Sequence, residues 1–513
     1  MILPPPRPLS FIALFLAAAP VAAVELAAPF SDHAVLQRDL PVPVWGTEKP
    51  GTTVTVSVAG ASAKAVADAQ GRWKAVLPSL TAGGPYEMSV AGTTTVVLKD
   101  LLVGEVWLCS GQSNMEWTTV KADRGTEEVA QAEHPRIRLL NLNRKKVAAE
   151  QPVVKFTARW EACAPATVGD FSAVGYFFGR ELERELQVPI GLISSSWGGT
   201  GAESWTSTQV LEASAEFKAV FPAWQETLAQ YPAKLEEYQK TVLPKWEQDA
   251  AVAKAAGKPE PRKPREPRGP KTPQHQPGSL YNGMIAPLVP YALRGAIWYQ
   301  GEENTSTPIR AEAYRRLLPL MVGDWRSRFG TDFAFHLVQL ANYGKNVPSS
   351  APWPTNSWPI LRESQAEVAA TLPGSGMAVA IDIGNPDDIH PTNKQEVGRR
   401  LALNALAKDY GKAVVFSGPV FQGFAAEGAT AVVTFTQAEG LAAKGGTVTG
   451  FQLAGEDGRF VAATGTISGA TVRLTAPGIT APAAVRYAWS NSPEASLVNG
   501  AGLPASPFRF PRR

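Results

Sequence analysis

The chain has 513 residues, a length that one hydrophobic core rarely serves, so two or three domains are expected. Hydrophobic residues make up 44% of it and charged residues 19%, which excludes a disordered tail or a fibre. The formal charge of +3 arises from the proline-rich residues 254–271, which hold seven Lys or Arg and two Glu. That composition indicates an extended, solvated loop and argues against nucleic-acid binding.

The first predicted element is an export signal over residues 1–23. Arg7 precedes an apolar run from Phe11 to Pro20, and the small residues ending at Ala23 form a pattern that signal peptidases accept. The run is shorter than the about 20 apolar residues that cross a bilayer. We therefore expect cleavage, no membrane insertion afterwards, and a periplasmic or extracellular protein.

A small β-sandwich is predicted for residues 24–100, where short alternating runs are separated by glycines and prolines. The pattern changes at residue 101, and residues 101–410 indicate an α/β domain with a five-stranded parallel sheet between helices. The predicted strands are 103–109, 189–195, 294–300, 333–340 and 377–382, and the predicted helices are 171–186, 311–329, 360–370 and 393–407.

An insertion, residues 209–277, interrupts this α/β pattern. Its first half favours a helix and its second half is the basic, proline-rich loop. After it, residues 411–513 return to short strands and predict a second β-sandwich. The two cysteines, Cys109 and Cys163, allow one disulfide or two buried thiols, and the scattered histidines give no zinc-ligand spacing.

Reactive side chains follow the predicted parallel strands, at the edge where open α/β sheets bind ligands. Ser113 follows the first strand on a Gly-x-Ser turn, as an exposed nucleophile does, although a serine there can also cap a helix. Gly199 follows the second strand and offers a backbone N–H. His390 follows the fifth, with Asp387 three residues before it and Asp388 as a competing carboxylate.

The third strand ends in a block with two amide side chains, Gln300 and Asn304, either of which suits an oxyanion hole. Glu302 is placed to orient a neighbour or to bind a sugar hydroxyl. Trp117 and Trp205 flank the first two blocks and are candidates for stacking on a sugar ring, with burial in the core as the alternative. The joint pattern of nucleophile, donors and base predicts a serine hydrolase.

These blocks resemble those of the sialate O-acetylesterase family of SGNH hydrolases. The matching stretches are Gly-Gln-Ser-Asn-Met from 111, Trp-Gly-Gly-Thr from 197, Trp-Tyr-Gln-Gly-Glu from 298 and Asp-x-x-His-Pro from 387. The likeness spans nearly the whole chain, including residues 281–288 and 503–508. The third block differs from the Gly-x-Asn-Asp form of other SGNH enzymes, and Glu303 stands where the family more often has a small residue.

The resemblance implies an SGNH-type α/β fold and a carbohydrate O-acetylesterase that needs no cofactor or metal. It implies Ser113 as nucleophile, His390 as general base and acid, and Asp387 as the orienting carboxylate. The oxyanion hole would combine the N–H groups of Ser113 and Gly199 with the amide of Asn304 or Gln300. The expected partner is an acetylated carbohydrate such as an acetylated sialic acid or xylan; the oligomeric state stays open.

Two alternatives remain. A non-catalytic carbohydrate-binding protein has no use for a paired Ser113 and His390. A lipase or thioesterase is expected to carry a long apolar lid, whereas the insertion is charged and rich in proline. The sequence therefore favours an acetylesterase that acts on a water-soluble sugar, with acetylxylan esterase activity on plant polysaccharide as an alternative.

Overall fold

The computed structural model describes residues 23–142, 157–346 and 357–512, so residues 1–22 of the predicted export signal lie outside the described residues. The N-terminal strands are β1 (Glu25–Leu26), β2 (Val35–Gln37), β3 (Val42–Thr47), β4 (Thr53–Val58), β5 (Ala61–Val66), β6 (Arg72–Leu77), β7 (Gly83–Ala91) and β8 (Thr95–Gly111). Alternation decides their packing: Val54, Val56 and Val58 of β4 point inward, and the residues between them are more exposed.

Strand β8 joins the N-terminal strands to the central sheet. Its first residues alternate in exposure and pair antiparallel with β7, whereas residues 101–111 are all buried. A strand that is buried on both faces is typical of the centre of a parallel sheet. Gly111, at its end, therefore emerges at the middle of that sheet.

The central sheet continues with β9 (His134–Asn141), β10 (Trp160–Cys163), β11 (Ile190–Ser196), β12 (Gly295–Tyr299), β13 (Ala334–Gln339) and β14 (Ser375–Val379). Its order is β10-β9-β11-β8-β12-β13-β14, and all neighbours are parallel except β10, which pairs antiparallel with β9. The chain leaves β8 first toward β9 and β11 and later toward β12. The switch point, where such sheets bind ligands, is thus at the end of β8.

The sheet is wider than the five strands predicted from sequence, because β9 is a further parallel strand. Its buried residues Ile137, Leu139 and Leu140 are interrupted by Arg138, whose guanidinium pairs with Asp100. Because that arginine interrupts the apolar run, the sequence pattern did not indicate a strand here. A strand lies at each of the five predicted positions; four have both ends within three residues of those expected, whereas β8 begins eight residues earlier, at Thr95.

Helices cover the sheet: α1 (Ser113–Glu116), α2 (Gly125–Ala130), α3 (Pro165–Val168), α4 (Ala173–Leu186), α5 (Ala202–Trp205), α6 (Thr208–Ala213), α7 (Val220–Glu237), α8 (Leu243–Ala255), α9 (Pro308–Phe329), α10 (Ser357–Thr371) and α11 (Lys394–Lys408). Helix α4 packs on α11 and α9 packs on α10. Their buried residues recur three and four apart, as in Tyr314, Leu317, Leu318 and Met321.

The proline-rich half of the insertion is an extended and largely exposed loop, as the sequence predicts. The segment packs back on the helices before it: Tyr238 donates to the carbonyl of Pro264 at 3.1 Å, and the Trp246 indole donates to that of Pro261 at 2.8 Å. Proline carbonyls accept hydrogen bonds although prolines cannot donate them. The two aromatic side chains therefore fix the course of this segment.

The C-terminal strands are β15 (Val420–Glu427), β16 (Thr430–Thr436), β17 (Ala442–Ala443), β18 (Phe451–Ala454), β19 (Val461–Ala462), β20 (Thr464–Ser468), β21 (Thr471–Thr475), β22 (Ala484–Tyr487), β23 (Leu497–Val498) and β24 (Phe508–Phe510). Two of their sheets have the orders β15-β16-β21-β20 and β19-β18-β22-β24. Val433 and Leu474 of one and Leu453 and Tyr487 of the other lie in one hydrophobic core.

Both cysteines are buried free thiols, which decides between the alternatives that the sequence left open. Burial raises the pKa of Cys163 to about 12, so this thiol stays protonated. In the three described ranges, no helix combines the length and apolar character needed to cross a membrane.

Candidate active site

Ser113 is presented by a tight turn after β8. Gly111 has φ +140°, and a Cβ at this position would lie 2.2 Å from the carbonyl oxygen of Tyr299, so only glycine fits. The turn is tied to the neighbouring strand by the Gln112 N–H, which donates to Tyr299 O at 3.0 Å. The next residue, Ser113, begins α1 and is half-buried at the switch point.

His390 lies against this serine although 277 residues separate them: its Nε2 is 2.8 Å from Ser113 Oγ. The imidazole also stacks on Trp117, with ring centroids 5.1 Å apart and planes 18° from parallel. The stacking fixes the ring plane, so Nε2 stays directed at the hydroxyl. Ser113, His390 and Trp117 are thus brought together as one group.

The carboxylate beside the imidazole is that of Asp388. Its Oδ1 lies 3.6 Å from His390 Nδ1 and accepts the His390 backbone N–H at 2.9 Å. The Asp387 N–H donates to Asn385 Oδ1 at 2.9 Å, and no ion pair or hydrogen bond is found between the Asp387 carboxylate and the ring in the described part of the chain. The turn made by Asn385 thus leaves the second aspartate, not the one predicted from the Asp-x-x-His spacing, next to His390.

The environment holds the pKa of His390 below its ordinary value of 6.5. Burial is the main cause, and the positive charges of Lys394, Arg262 and Arg265 act in the same direction, whereas Asp388 opposes them. The imidazole is therefore neutral at neutral pH. A neutral ring whose Nε2 faces a hydroxyl can accept the proton of that hydroxyl.

The glycine turn after β11 lies beside the serine. A Cβ on Gly198 would be 3.1 Å from Ser113 Cβ, and the Gly198 N–H donates to Glu116 Oε2 at 2.7 Å. Gly199 has φ +73°, and a Cβ there would face the Arg265 guanidinium at 3.6 Å. Glu116 was not predicted from the sequence, although its place one turn after the serine was a possible signal.

The two candidate amides differ in the groups to which they donate. Gln300 is fully buried, and its Nε2 donates to Thr200 O at 3.0 Å and to Asn304 Oδ1 at 2.8 Å, which uses both hydrogens. Asn304 Nδ2 bonds only one group, the Glu203 carboxylate, at 3.2 and 3.3 Å. The amide hydrogens of Asn304 thus meet a single carboxylate, whereas those of Gln300 meet two separate acceptors.

Two of the predicted substrate-binding residues lie in the interior. Trp205 has no exposed surface, and its indole meets Trp298 edge-on with centroids 5.9 Å apart, so a sugar ring cannot stack on it. Glu302 is 8% exposed, and its Oε1 accepts from Asn114 at 2.6 Å. Only Trp117 is half-buried, on the ring of His390.

The basic segment, residues 258–272, forms part of the site, which the sequence did not predict. Arg268 pairs with Glu303 of the block after β12, and Arg265 lies beside Gly199. The charge of Glu303 is thus neutralised by an arginine of the insertion. In the described part of the chain, the exposed Arg262 and Arg265 guanidinium groups form no ion pair.

A mainly parallel sheet that is covered by helices, with a serine and a histidine at its switch point, is an SGNH-like α/β hydrolase arrangement. The family model for carbohydrate esterases described as sialic acid-specific acetylesterases matches residues 103–241 and 269–407. The chain belongs to this family, and it is a hydrolytic esterase. Most of the basic segment lies between the two matched ranges.

Similar proteins agree with this assignment. Sialate O-acetylesterase of Homo sapiens is 31% identical over 413 residues, covering 74% of this chain and 69% of that protein. The Mus musculus protein of the same name is 31% identical over 408 residues, covering 74% and 72%. A crystal structure of a carbohydrate acetylesterase from Xanthomonas citri has a TM-score of 0.80 and 38% identity, covering 96% of this chain and all of that one.

Proposed function

We propose that this esterase removes O-acetyl groups from a carbohydrate, with Ser113 as nucleophile and His390 as general base and acid. The observation that carries the proposal is the 2.8 Å separation between Ser113 Oγ and His390 Nε2 at the switch point of the sheet. A protein that only binds carbohydrate has no use for a serine held against a neutral imidazole. The non-catalytic alternative is disfavoured for that reason.

The reaction has two steps. Ser113 Oγ attacks the acetyl carbonyl carbon while its proton moves to His390 Nε2, and the imidazolium then protonates the departing sugar oxygen. Water next attacks the acetyl-enzyme, giving its proton to His390, and the serine leaves with that proton as acetate is released. Each step needs a neutral imidazole at its start, which the lowered pKa of His390 supplies at neutral pH.

The developing oxyanion would be held by the backbone N–H groups of Ser113 and Gly199 and by the side-chain amide of Asn304. The Gly198 N–H is taken by Glu116, which leaves that of Gly199 as the donor from this turn. Asn304 is favoured over Gln300 because its amide donates to a single carboxylate, whereas both hydrogens of Gln300 are held by separate buried acceptors. Asp388 is favoured over Asp387 as the carboxylate that orients His390, because the Asp388 carboxylate lies beside the ring.

The charge at the site favours an acetylated sugar that also carries a carboxylate, such as an O-acetylated sialic acid. Arg262 and Arg265 are exposed, form no ion pair among the described residues and act on His390, so an anion near the scissile ester gains favourable interactions with both. Acetylated xylan, the alternative substrate predicted from the sequence, is neutral and gains no favourable charge interaction with these two arginines.

The test is acetate release from three substrates at equal acetyl concentration: O-acetylated sialic acid, acetylated xylan and a simple acetylated hexose. We expect the highest kcat/KM on the sialic acid, falling as salt is raised because the guanidinium groups are exposed. The same kcat/KM on all three, independent of salt, would contradict the proposed substrate. No acetate from any of them would contradict the activity on carbohydrate.

We further propose that the protein is exported, on the strength of the apolar run before Ala23. N-terminal sequencing of protein from a secreting host checks this. A mature chain that begins within two or three residues of Val24, recovered outside the cytoplasm, is the expected result. A full-length chain retained in the cytoplasm would contradict it.

A further inference from the structure

Beneath the Ser113–His390 pair lies a buried polar group that the reaction does not use directly: Asn114, Glu302 and Lys394, here called the Lys394 network. Lys394 Nζ donates to Asn114 Oδ1. Asn114 Nδ2 donates to Glu302 Oε1 at 2.6 Å and to the Ile389 carbonyl at 2.9 Å. The exposed fractions are 0% for Lys394, 1% for Asn114 and 8% for Glu302, so these bonds do not compete with water.

Asn114 joins the two halves of the catalytic pair. It directly follows the nucleophile, and the carbonyl that it holds belongs to the residue directly before His390. Both hydrogens of its amide are used, and its oxygen is used by Lys394, so every polar atom of the side chain is engaged. The bond from Lys394 decides which end of the amide is oxygen, since an ammonium can only donate.

The position of Lys394 is unusual for a basic residue. It is the first residue of α11, where the positive end of the helix disfavours a cation, and it is completely buried. Burial lowers the pKa of Lys394 to about 7 and raises that of Glu302. Its Nζ lies over the rings of Tyr299 at 5.2 Å and Trp117 at 5.9 Å, which partly replace the lost hydration. Burying the Lys394 ammonium costs free energy, so its presence at this position indicates a functional role.

We infer, on the basis of the proposed function, that Lys394 is a positioning residue that fixes the His390 loop over the Ser113 turn through Asn114. Without the ammonium, the amide of Asn114 is free to turn over, and its oxygen would then repel the Ile389 carbonyl. The loop before His390 would lose its attachment to the nucleophile turn. A displacement of about 1 Å at a reacting group costs about 100-fold in rate.

Lys394 also acts on His390 electrostatically. The charged groups that act on the imidazole are Asp388 from its own loop, Lys394 from α11, and Arg262 and Arg265 from the basic segment. Below pH 7 Lys394 carries its charge, and this is the range in which His390 titrates. Removing that charge therefore raises the pKa of His390 and moves the acid limb of kcat/KM to higher pH.

The test compares Lys394→Met and Lys394→Gln with the wild-type chain. Both are titrated with a fluorophosphonate that counts competent serines, and kcat, KM and the pH profile are measured on para-nitrophenyl acetate. Lys394→Met is expected to lower kcat per titrated site about 10- to 100-fold with KM nearly unchanged, and to shift the acid limb upward. Lys394→Gln can still donate to Asn114, so it should recover most of kcat but keep the shifted limb.

Lys408→Met is the matched control. Lys408 lies at the other end of α11, is exposed and donates to the Ser375 carbonyl at 2.6 Å, away from the site. We expect its kcat and pH profile to equal those of the wild type. If Lys394→Met does not fold, Asn114→Asp takes its place; it loses the amide donors and should show the same fall in kcat.

The inference is overturned if a folded Lys394→Met, or Asn114→Asp in its place, turns over with the wild-type kcat and pH profile. A loss of kcat in Lys408→Met equal to that in Lys394→Met would also overturn it, since the effect would then be one of helix stability. Failure of the proposed function looks different: the wild-type chain itself would fail to react with the fluorophosphonate.

Discussion

The backbone N–H of Gly198 donates a hydrogen bond to Oε2 of Glu116 at 2.7 Å. This bond ties the helix that presents Ser113 to the glycine turn proposed to complete the oxyanion hole. The sheet supplies both segments, β8 and β11, as parallel neighbours, but their loops need a specific attachment. Glu116 provides it.

Replacing Glu116 tests that attachment. Glu116→Ala leaves the Gly198 N–H without its acceptor and lets the turn move, so we expect kcat on para-nitrophenyl acetate to fall about 10-fold, less than the about 100-fold or more that follows loss of a whole oxyanion donor. Glu116→Gln keeps an oxygen acceptor and should retain most of kcat. Equal rates for both variants and the wild type would contradict a role for this bond.

The pH dependence follows from the environment of His390. Burial and three nearby cations lower its pKa, and the reaction needs the neutral ring, so activity should persist below pH 6.5 and the acid limb of kcat/KM should lie under that value. The double variant Arg262→Ala, Arg265→Ala removes two of the cations and should move the limb upward. An acid limb above pH 6.5 in the wild type would contradict this assignment.

The same double variant tests the substrate. At pH 8, where His390 is neutral with or without the arginines, we expect a several-fold increase in KM for O-acetylated sialic acid, because two exposed guanidinium groups contribute modestly. The KM for a neutral acetylated hexose should stay unchanged. An equal change for both sugars would indicate that the segment acts on the site through its position and not its charge.

Gly111 is expected to tolerate no side chain. Its φ of +140° and the 2.2 Å approach of the Tyr299 oxygen make Gly111→Ala destabilising by about 3 kcal/mol or more, from strain of about 1 to 3 kcal/mol plus the clash. Gly323→Ala is the control: Gly323 lies in α9 with open space at its Cβ, and alanine there should stabilise by about 0.5 to 1 kcal/mol. Urea unfolding measures the free energy of unfolding, which should fall in Gly111→Ala and rise in Gly323→Ala. Similar changes in both variants would contradict the strained turn.

Much of this fold was predictable because buried strands and amphipathic helices leave local patterns. The apolar runs before Ser113 and before Gln300 gave both the strands and the sheet edge that carries the chemistry. Strand β9 was missed because Arg138, which pairs with Asp100, interrupts its apolar run. An ion pair between distant segments leaves no periodic signal.

The site was predictable as far as it depends on strand ends. The contact of Asp388 with His390 depends on a turn of a few residues, and spacing alone does not determine which aspartate faces the ring. Arg265 is exposed, as the composition of a proline-rich charged segment predicts, but its place beside Gly199 is a tertiary contact that composition does not indicate. Lys394 did leave a signal, a basic residue at a helix start, which helix electrostatics disfavours.

The most direct test of the account is acetate release from para-nitrophenyl acetate by Ser113→Ala, with folding verified by circular dichroism and thermal unfolding. This substitution removes only the side-chain hydroxyl of Ser113, whose Oγ lies 2.8 Å from His390 Nε2. We predict release at the rate of the uncatalysed background in a folded protein. Turnover near the wild-type rate would show that the nucleophile is another residue and would contradict the mechanism proposed for this site.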